Sequence, residues 1–193
     1  LEQAGLPAGV VNMVFGDPVT ICEHLLSSPV IRMITFTGST PVGKQLAARA
    51  TATMKRMVFE LGGHAPALVF PDVDLDTVVK GAVATKFRNS GQVCTSPTRF
   101  YVHQSIHDEF VEAFVKQATA ITPGDPLAAG TGMGPMQNAR RLDALEALVA
   151  DAREHGATVA AGGQRHAEAG FFFPPTVLTG VGPQCRVAHE EPF

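Results

Sequence analysis

Arg32-Met33-Ile34-Thr35-Phe36-Thr37-Gly38-Ser39-Thr40-Pro41-Val42-Gly43-Lys44 is the stretch that decides the fold. Arg32 to Phe36 reads as a strand, and Thr37-Gly38-Ser39-Thr40 reads as the turn that opens a helix. Thr40 is the expected N-cap, with Pro41 at the first helical position, where its missing amide hydrogen costs nothing. Downstream, Met57 to Leu61 predicts another strand and Pro66 to Phe70 a further one, with Gly62-Gly63 between them as a change of direction. Upstream, the apolar run Val10 to Phe15 predicts a buried strand, closed by Gly16-Asp17-Pro18 and followed by helical spacing over Val19 to Leu26. Strand and helix alternate, which is the pattern of an α/β fold with a parallel sheet flanked by helices.

The alternation continues beyond the glycines. Val78, Val79, Ala82 and Val83 recur at helical spacing over Leu75 to Arg88, with Asp72, Asp74 and Asp76 at the positive helix start. A Gly-rich loop containing Cys94 follows. Phe100 to Val102 then predicts a strand, Phe110 to Ala118 a helix, and Pro123 to Pro135 a loop. Leu142 to Ala152 predicts a helix ending at His155-Gly156, a glycine C-cap, and Thr158 to Ala161 and Thr176 to Leu178 predict the last strands.

Composition narrows the class. The 193 residues carry a formal charge of −3 with 45% hydrophobic and 17% charged residues, which predicts a folded chain with a sizeable core and no basic footprint for nucleic acid. No apolar run approaches the ~18 residues of a membrane-spanning helix, and no basic amphipathic stretch marks a membrane surface. Three Cys (Cys22, Cys94, Cys185) without a CxxC spacing disfavour a disulfide framework or a zinc site and fit a reduced, cytoplasmic setting. The chain starts at Leu1 without an initiator Met and stops directly after Glu190-Glu191-Pro192-Phe193, so it is expected to be an internal segment.

Three segments could carry chemistry. At Gly38 to Lys44, exposed amides and a helix start suit a phosphate, although the same residues also make an ordinary helix cap. The segment satisfies G-x-x-x-x-G-K, but Gln45 stands where a P-loop needs a magnesium-holding hydroxyl, and Ser39-Thr40 break the G-x-G-x-x-G fingerprint. A P-loop nucleotidase is therefore the remote alternative. Glu60, in Phe59-Glu60-Leu61-Gly62-Gly63, sits in an apolar strand end, where burial would raise its pKa toward that of a general base; alternatively it only binds amides of the glycine turn. Cys94, in Arg88-Asn89-Ser90-Gly91-Gln92-Val93-Cys94-Thr95-Ser96, lies in a polar loop that suits a thiolate nucleophile, or is an incidental small side chain. His103 and His107 lack a third ligand, so no metal site is expected.

Taken together, Ala4 to Asn12, Phe36 to Thr40, Glu60 to Gly63, Asn89 to Cys94, Pro174 to Leu178 and Glu190 to Phe193 resemble the aldehyde dehydrogenase superfamily through the whole chain. The resemblance is nearest to its succinate-semialdehyde dehydrogenases. It implies residues 1–61 as the C-terminal part of an NAD(P)-binding domain and 62–193 as a Cys-bearing catalytic domain, incomplete at its C-terminus.

The resemblance implies the following roles. Cys94 would be the nucleophile, its backbone amide half of an oxyanion hole, and Glu60 the base for hydrolysis of a Cys thioester. Gly38 and Ser39 would touch the pyrophosphate of NAD or NADP, with Val42 beside the adenine. Leu61 and Phe193 would approach the nicotinamide, and Glu191 its ribose. Arg88 would hold the distal carboxylate of a semialdehyde substrate. The parent protein would be a homodimer or homotetramer acting on a small aldehyde, without nucleic-acid or membrane partners. The family's oxyanion-hole Asn and adenosine-ribose Lys would lie upstream of Leu1, so the isolated chain is expected to have little or no turnover. Ser96 replaces the second loop Cys of some relatives, so a disulfide switch is not expected. His64 stands where Lys or Asn is frequent, with packing the expected consequence.

Overall fold

The computed structural model describes residues 2–166 and 170–193, and it separates into two compact units, Leu1–Gly62 and Gly63–Phe193. In the first unit, helix α1 (Pro18–Ser27) starts at Asp17, whose carboxylate accepts from the Thr20 amide at 2.8 Å and the Thr20 hydroxyl at 2.7 Å. That cap and Pro18 in the first turn account for a sharp helix start. Strand β1 (Met33–Gly38) leads into α2 (Thr40–Ala50), and the chain returns as β2 (Arg56–Leu61), parallel to β1 in register from Met33 opposite Arg56 to Gly38 opposite Leu61. This is a strand-helix-strand unit, as expected from the sequence.

The sheet packs on Leu26, Leu46 and Ala50, with Ile34, Phe36 and Met57 beside them. Gly43 of α2 is required there: a Cβ would fall 2.8 Å from Leu61 Cδ2. Lys55 is buried, and its ammonium donates to the carbonyls of Ser28 at 2.6 Å and Ile31 at 2.9 Å, fastening the α1–β1 connection to the start of β2.

Two expectations change. The helix cap is Ser39, one residue earlier than expected, because Thr40 has already entered the helix and Pro41 follows within its first turn. Val10 to Phe15 forms no strand, and Met13, Val14 and Phe15 are exposed. An apolar run becomes a strand only with a ladder partner, and no described strand runs beside it.

In the second unit, β3 (Pro66–Val69) pairs in parallel with β4 (Arg99–Val102), and α3 (Leu75–Phe87) and α4 (His107–Thr119) cover them. Asp74 caps α3 by accepting from the Thr77 amide at 2.8 Å. Val69, Val79, Val83, Phe87, Phe110, Phe114, Ala118 and Met133 form its core. Helix α5 (Ala139–Glu154) has His155 as its C-cap, with Gly156 at φ +88° just beyond it, and packs Leu142 and Val149 with Met136 and Phe173. Strands β5 (Thr158–Ala161) and β6 (Val177–Thr179) pair antiparallel, with a bulge between Val159 and Ala161, so the sheets are not uniformly parallel. Among the described residues no helix lies between β5 and β6, and a parallel return needs such a crossover.

Candidate functional site

The first unit offers a helix start with the chemistry of an anion site. Ser39 caps α2 through its backbone, since its carbonyl accepts from the Gly43 amide at 3.0 Å while its hydroxyl makes no bond to the helix. First-turn amides have no acceptor within their own helix, which leaves Thr40 and Val42 as outward donors. Gly38 contributes no side chain here, and a Cβ would fall 2.5 Å from the Phe36 ring. Free hydroxyl, free amides and a bare glycine edge match the donor set a pyrophosphate needs. Val42 is exposed on the first turn and can lie against an adenine ring.

Glu60 and Leu61 close β2. Glu60 stands opposite Thr37 in the ladder and is exposed, in contrast to the burial expected from its apolar neighbours. Exposure and partial burial alternate along β2: Phe59 and Leu61 turn toward α2, and the pleat sends Glu60 to the other face. The carboxylate is thus an accessible group rather than a buried one.

Cys94 occupies the second unit. After α3, Asn89 (φ +51°), Ser90 (φ +58°) and Gly91 (φ +75°) make a left-handed turn, a conformation that side-chain-bearing residues adopt only when their surroundings hold them there. The holding groups are visible. The Ser90 hydroxyl donates to the Gly134 carbonyl at 2.8 Å, the Gln137 amide donates to Gln92 Oε1 at 3.1 Å, and the Asn89 amide side chain donates to the Gln92 carbonyl at 3.2 Å. On the far side, the buried Ser96 hydroxyl donates to the carbonyls that end α3, Thr85 and Lys86, each at 3.1 Å. Between these fixings, a turn closed by the Ser96 amide on the Val93 carbonyl, at 2.9 Å, carries Cys94 with its thiol exposed. Cys185 is fully buried and Cys22 half-buried, so neither shares that setting.

Arg88 ends α3 and is exposed six residues before Cys94. Glu191 is half-buried; its Oε1 accepts from the Gly63 amide at 2.9 Å, and its other oxygen has no hydrogen bond among the described residues. The ring of Phe193 lies under the Lys86 ammonium, 5.8 Å from nitrogen to centroid. A cavity of about 470 Å³ in this unit is lined by Lys86, Gly91 and Phe193 together with Phe100, Phe114 and Val177; Cys94 and Arg88 do not line it. Gly38, Ser39, Val42, Glu60 and Leu61 therefore belong to one unit, and Arg88, Cys94, Glu191 and Phe193 to the other.

Two groups do more than their positions in the sequence suggest. His64 is held on both ring nitrogens, by the Thr98 hydroxyl and by the Val187 carbonyl, the latter at 2.6 Å from Nε2. A carbonyl can only accept, so Nε2 carries the hydrogen and Nδ1 accepts from Thr98. Desolvation holds the His64 pKa below its ordinary 6.5, so the folded state prefers the neutral ring. Below pH 6.5 the unfolded chain binds a proton that the folded one resists, and stability present above that pH is lost on acidification. Urea midpoints should fall between pH 7 and 5, and His64→Gln should flatten that dependence; an unchanged slope would remove the assignment.

Lys86 is the other. It follows Val79 and Val83 at the helical intervals that continue to Ser90, so it falls on the buried stripe of α3, which spacing alone could have shown. Among the described residues no group of three or more His, Cys, Asp or Glu is placed to hold a metal ion.

The chain matches the aldehyde dehydrogenase family over residues 1–193. It is 46% identical over 192 residues to a 3-sulfolactaldehyde dehydrogenase of Pseudomonas putida, covering 100% of this chain and 40% of the relative. It is 41% identical over 191 residues to the NADP(+) succinate-semialdehyde dehydrogenase of Escherichia coli (strain K12), covering 99% of this chain and 40% of the relative. The crystal structure of succinate-semialdehyde dehydrogenase from Burkholderia pseudomallei superposes with a TM-score of 0.96 at 43% identity, over 99% of this chain and 40% of that one. The chain thus spans about 40% of the length of these relatives. A full-length family match, relatives above 40% identity and a shared fold lead to one conclusion: the chain belongs to the aldehyde dehydrogenase family.

Proposed function

We propose that the protein carrying this chain oxidises an aldehyde with a distal carboxylate, succinate semialdehyde or a close analogue, to the carboxylic acid with NAD+ or NADP+. The observation that carries the reading is Cys94, exposed on a turn whose two flanks are pinned by Ser90, Gln92 and Ser96. A fixed, accessible thiol is what covalent attack on a carbonyl requires. The unit Leu1–Gly62 takes the part of the cofactor domain's end (1–61), and Gly63–Phe193 that of the catalytic domain (62–193).

Gly38 and Ser39 would hold the pyrophosphate and Val42 the adenine; Leu61 and Phe193 would line the nicotinamide, and Glu191 would bind its ribose. When bound, the nucleotide supplies the hydride acceptor. The Cys94 thiolate bonds to the aldehyde carbon, and the backbone amide of Cys94 donates to the resulting oxyanion. Once that carbon has lost hydride, Cys94 carries an acyl thioester. Glu60, exposed at the end of its strand, takes a proton from the water that adds to the thioester carbon; the acid leaves and the thiol is restored. The Arg88 guanidinium would bind the substrate carboxylate through two parallel hydrogen bonds. No described helix is long and apolar enough to cross a membrane; a cytoplasmic homodimer or homotetramer is part of the same reading.

The experiment is reduction of NAD+ or NADP+ by succinate semialdehyde and by an uncharged aldehyde, with wild type and Arg88→Ala. Wild type should reduce the nucleotide with the semialdehyde, and absence of reduction with every carboxylated and uncharged aldehyde tested ends the dehydrogenase reading. Arg88→Ala should raise KM for the semialdehyde roughly 10- to 100-fold, the scale of a lost charge-assisted bidentate contact, and leave the uncharged aldehyde within about twofold. Equal shifts for both aldehydes would remove Arg88 from substrate recognition.

A further inference from the structure

We infer that Lys86 is a positioning residue that braces the Cys94 loop against the segment bearing Phe193; this rests on Cys94 acting as the nucleophile. Lys86 lies in the last turn of α3, and its ammonium reaches the carbonyl of Gly91 at 3.4 Å while standing 5.8 Å over the Phe193 ring. Gly91 admits this approach because it has no side chain: a Cβ there would lie 3.1 Å from Lys86 Nζ and 3.2 Å from the Lys86 carbonyl. One cation therefore touches the peptide at the end of the left-handed turn, three residues before Cys94, and the aromatic face that the proposed function sets against the nicotinamide. The Lys86 carbonyl also accepts from Ser96, so the same residue fixes the loop before and after Cys94.

Packing alone does not explain a lysine here. Its neighbours on the stripe, Val79, Val83 and Phe87, are buried hydrophobics, and no carboxylate forms an ion pair with Lys86 among the described residues. Lys86 and Arg99 both act as cations on His64, and Glu191 acts on it as the opposing charge. Burial pushes the Lys86 ammonium down to about 8, so the charge is held at a cost to folding. A group that costs stability and grips the loop from behind serves position rather than cohesion.

Lys86→Met keeps the length of the side chain and removes the charge; Lys86→Arg keeps the charge. In the protein that carries this chain, Lys86→Met should lower kcat about tenfold, the scale of a slightly misplaced reacting group, with KM for the aldehyde within about twofold. The rate of Cys94 alkylation by iodoacetamide at pH 7 should change several-fold without any substrate present. The melting temperature should hold or rise, because a desolvated charge is gone, and Lys86→Arg should recover part of the kcat. A Lys86→Met protein that melts lower or fails to fold, or that keeps wild-type kcat and alkylation rate, overturns the inference. Cys94→Ala separates the two levels: if it keeps turnover, the nucleophile reading fails, and if it abolishes turnover while Lys86→Met behaves as wild type, only the role of Lys86 fails.

Discussion

Cys94→Ala in the protein that carries this chain is expected to bind NAD(P)+ as tightly as wild type and to oxidise succinate semialdehyde at least about 10⁴-fold more slowly, the scale on which losing a covalent nucleophile acts. The size follows from the chemistry: without the sulfur there is no thioester, and direct hydride loss from a hydrated aldehyde has no positioned partner in this loop. The separation of binding from turnover follows from the geometry. The residues proposed for the pyrophosphate and adenine, Gly38, Ser39 and Val42, lie in the Leu1–Gly62 unit, whereas Cys94 lies in the Gly63–Phe193 unit. The loop should also keep its shape, because the bonds that hold it come from Ser90, Gln92 and Ser96 rather than from the thiol. Nucleotide titration, steady-state reduction and the mass of rapidly quenched protein check the three parts. An acyl adduct on wild type that is missing from Cys94→Ala is the expected signature; retained turnover in the variant would end the thioester mechanism, and an adduct on Cys22 or Cys185 would move it.

Much of this arrangement was legible from residue order, and the exceptions have identifiable causes. The unit around Gly38 could be read because its signals agree: an apolar strand, a glycine turn, a capping hydroxyl and a proline fall within a dozen residues, and each is local. The cap is Ser39 rather than Thr40 because three hydroxyl residues, Thr37, Ser39 and Thr40, fall within four positions and only the backbone decides among them. Val10 to Phe15 misled because an apolar run records a preference for burial, whereas a strand needs a neighbour that the sequence of the run does not contain. Glu60 misled for a related reason. Its neighbours Phe59 and Leu61 are apolar, but alternation along a strand places neighbours on the opposite face, so their character says nothing of the environment of Glu60. Position Cys94 was readable as an unusual cysteine, yet the device that presents it was not. The left-handed residues Asn89 and Ser90 and the long-range bonds to Gly134 and Gln137 join positions about 45 apart, and only the folded chain puts them in contact.

Phe114→Ala is the substitution expected to cost the most stability, about 3–5 kcal/mol, because it deletes a buried ring that packs against three others. Phe114 is 5% exposed, and its ring centroid lies 5.2 Å from that of Phe100, 5.7 Å from Phe110 and 6.2 Å from Phe87. It therefore joins β4, its own helix α4 and the end of α3, three elements that have no other common aromatic. Phe114→Leu, which keeps most of the volume and loses the ring edges, should cost nearer 1 kcal/mol. At about 3 °C per kcal/mol for a unit of this size, the alanine variant should melt roughly 10–15 °C lower. The consequence reaches the site through Phe87, the residue that immediately precedes Arg88 and sits one turn of α3 from the last buried valine, Val83. When Phe87 loses its partner, the C-terminal turn of α3 loses the packing that aims Arg88 outward and sets the start of the left-handed turn before Cys94. Phe114→Ala should accordingly lower kcat/KM for the semialdehyde even at temperatures where the protein is fully folded, whereas Phe114→Leu should leave it near wild type. A melting temperature within about 3 °C of wild type for the alanine variant would place the core elsewhere, and a normal kcat/KM in a destabilised variant would show that α3 holds its last turn without this ring.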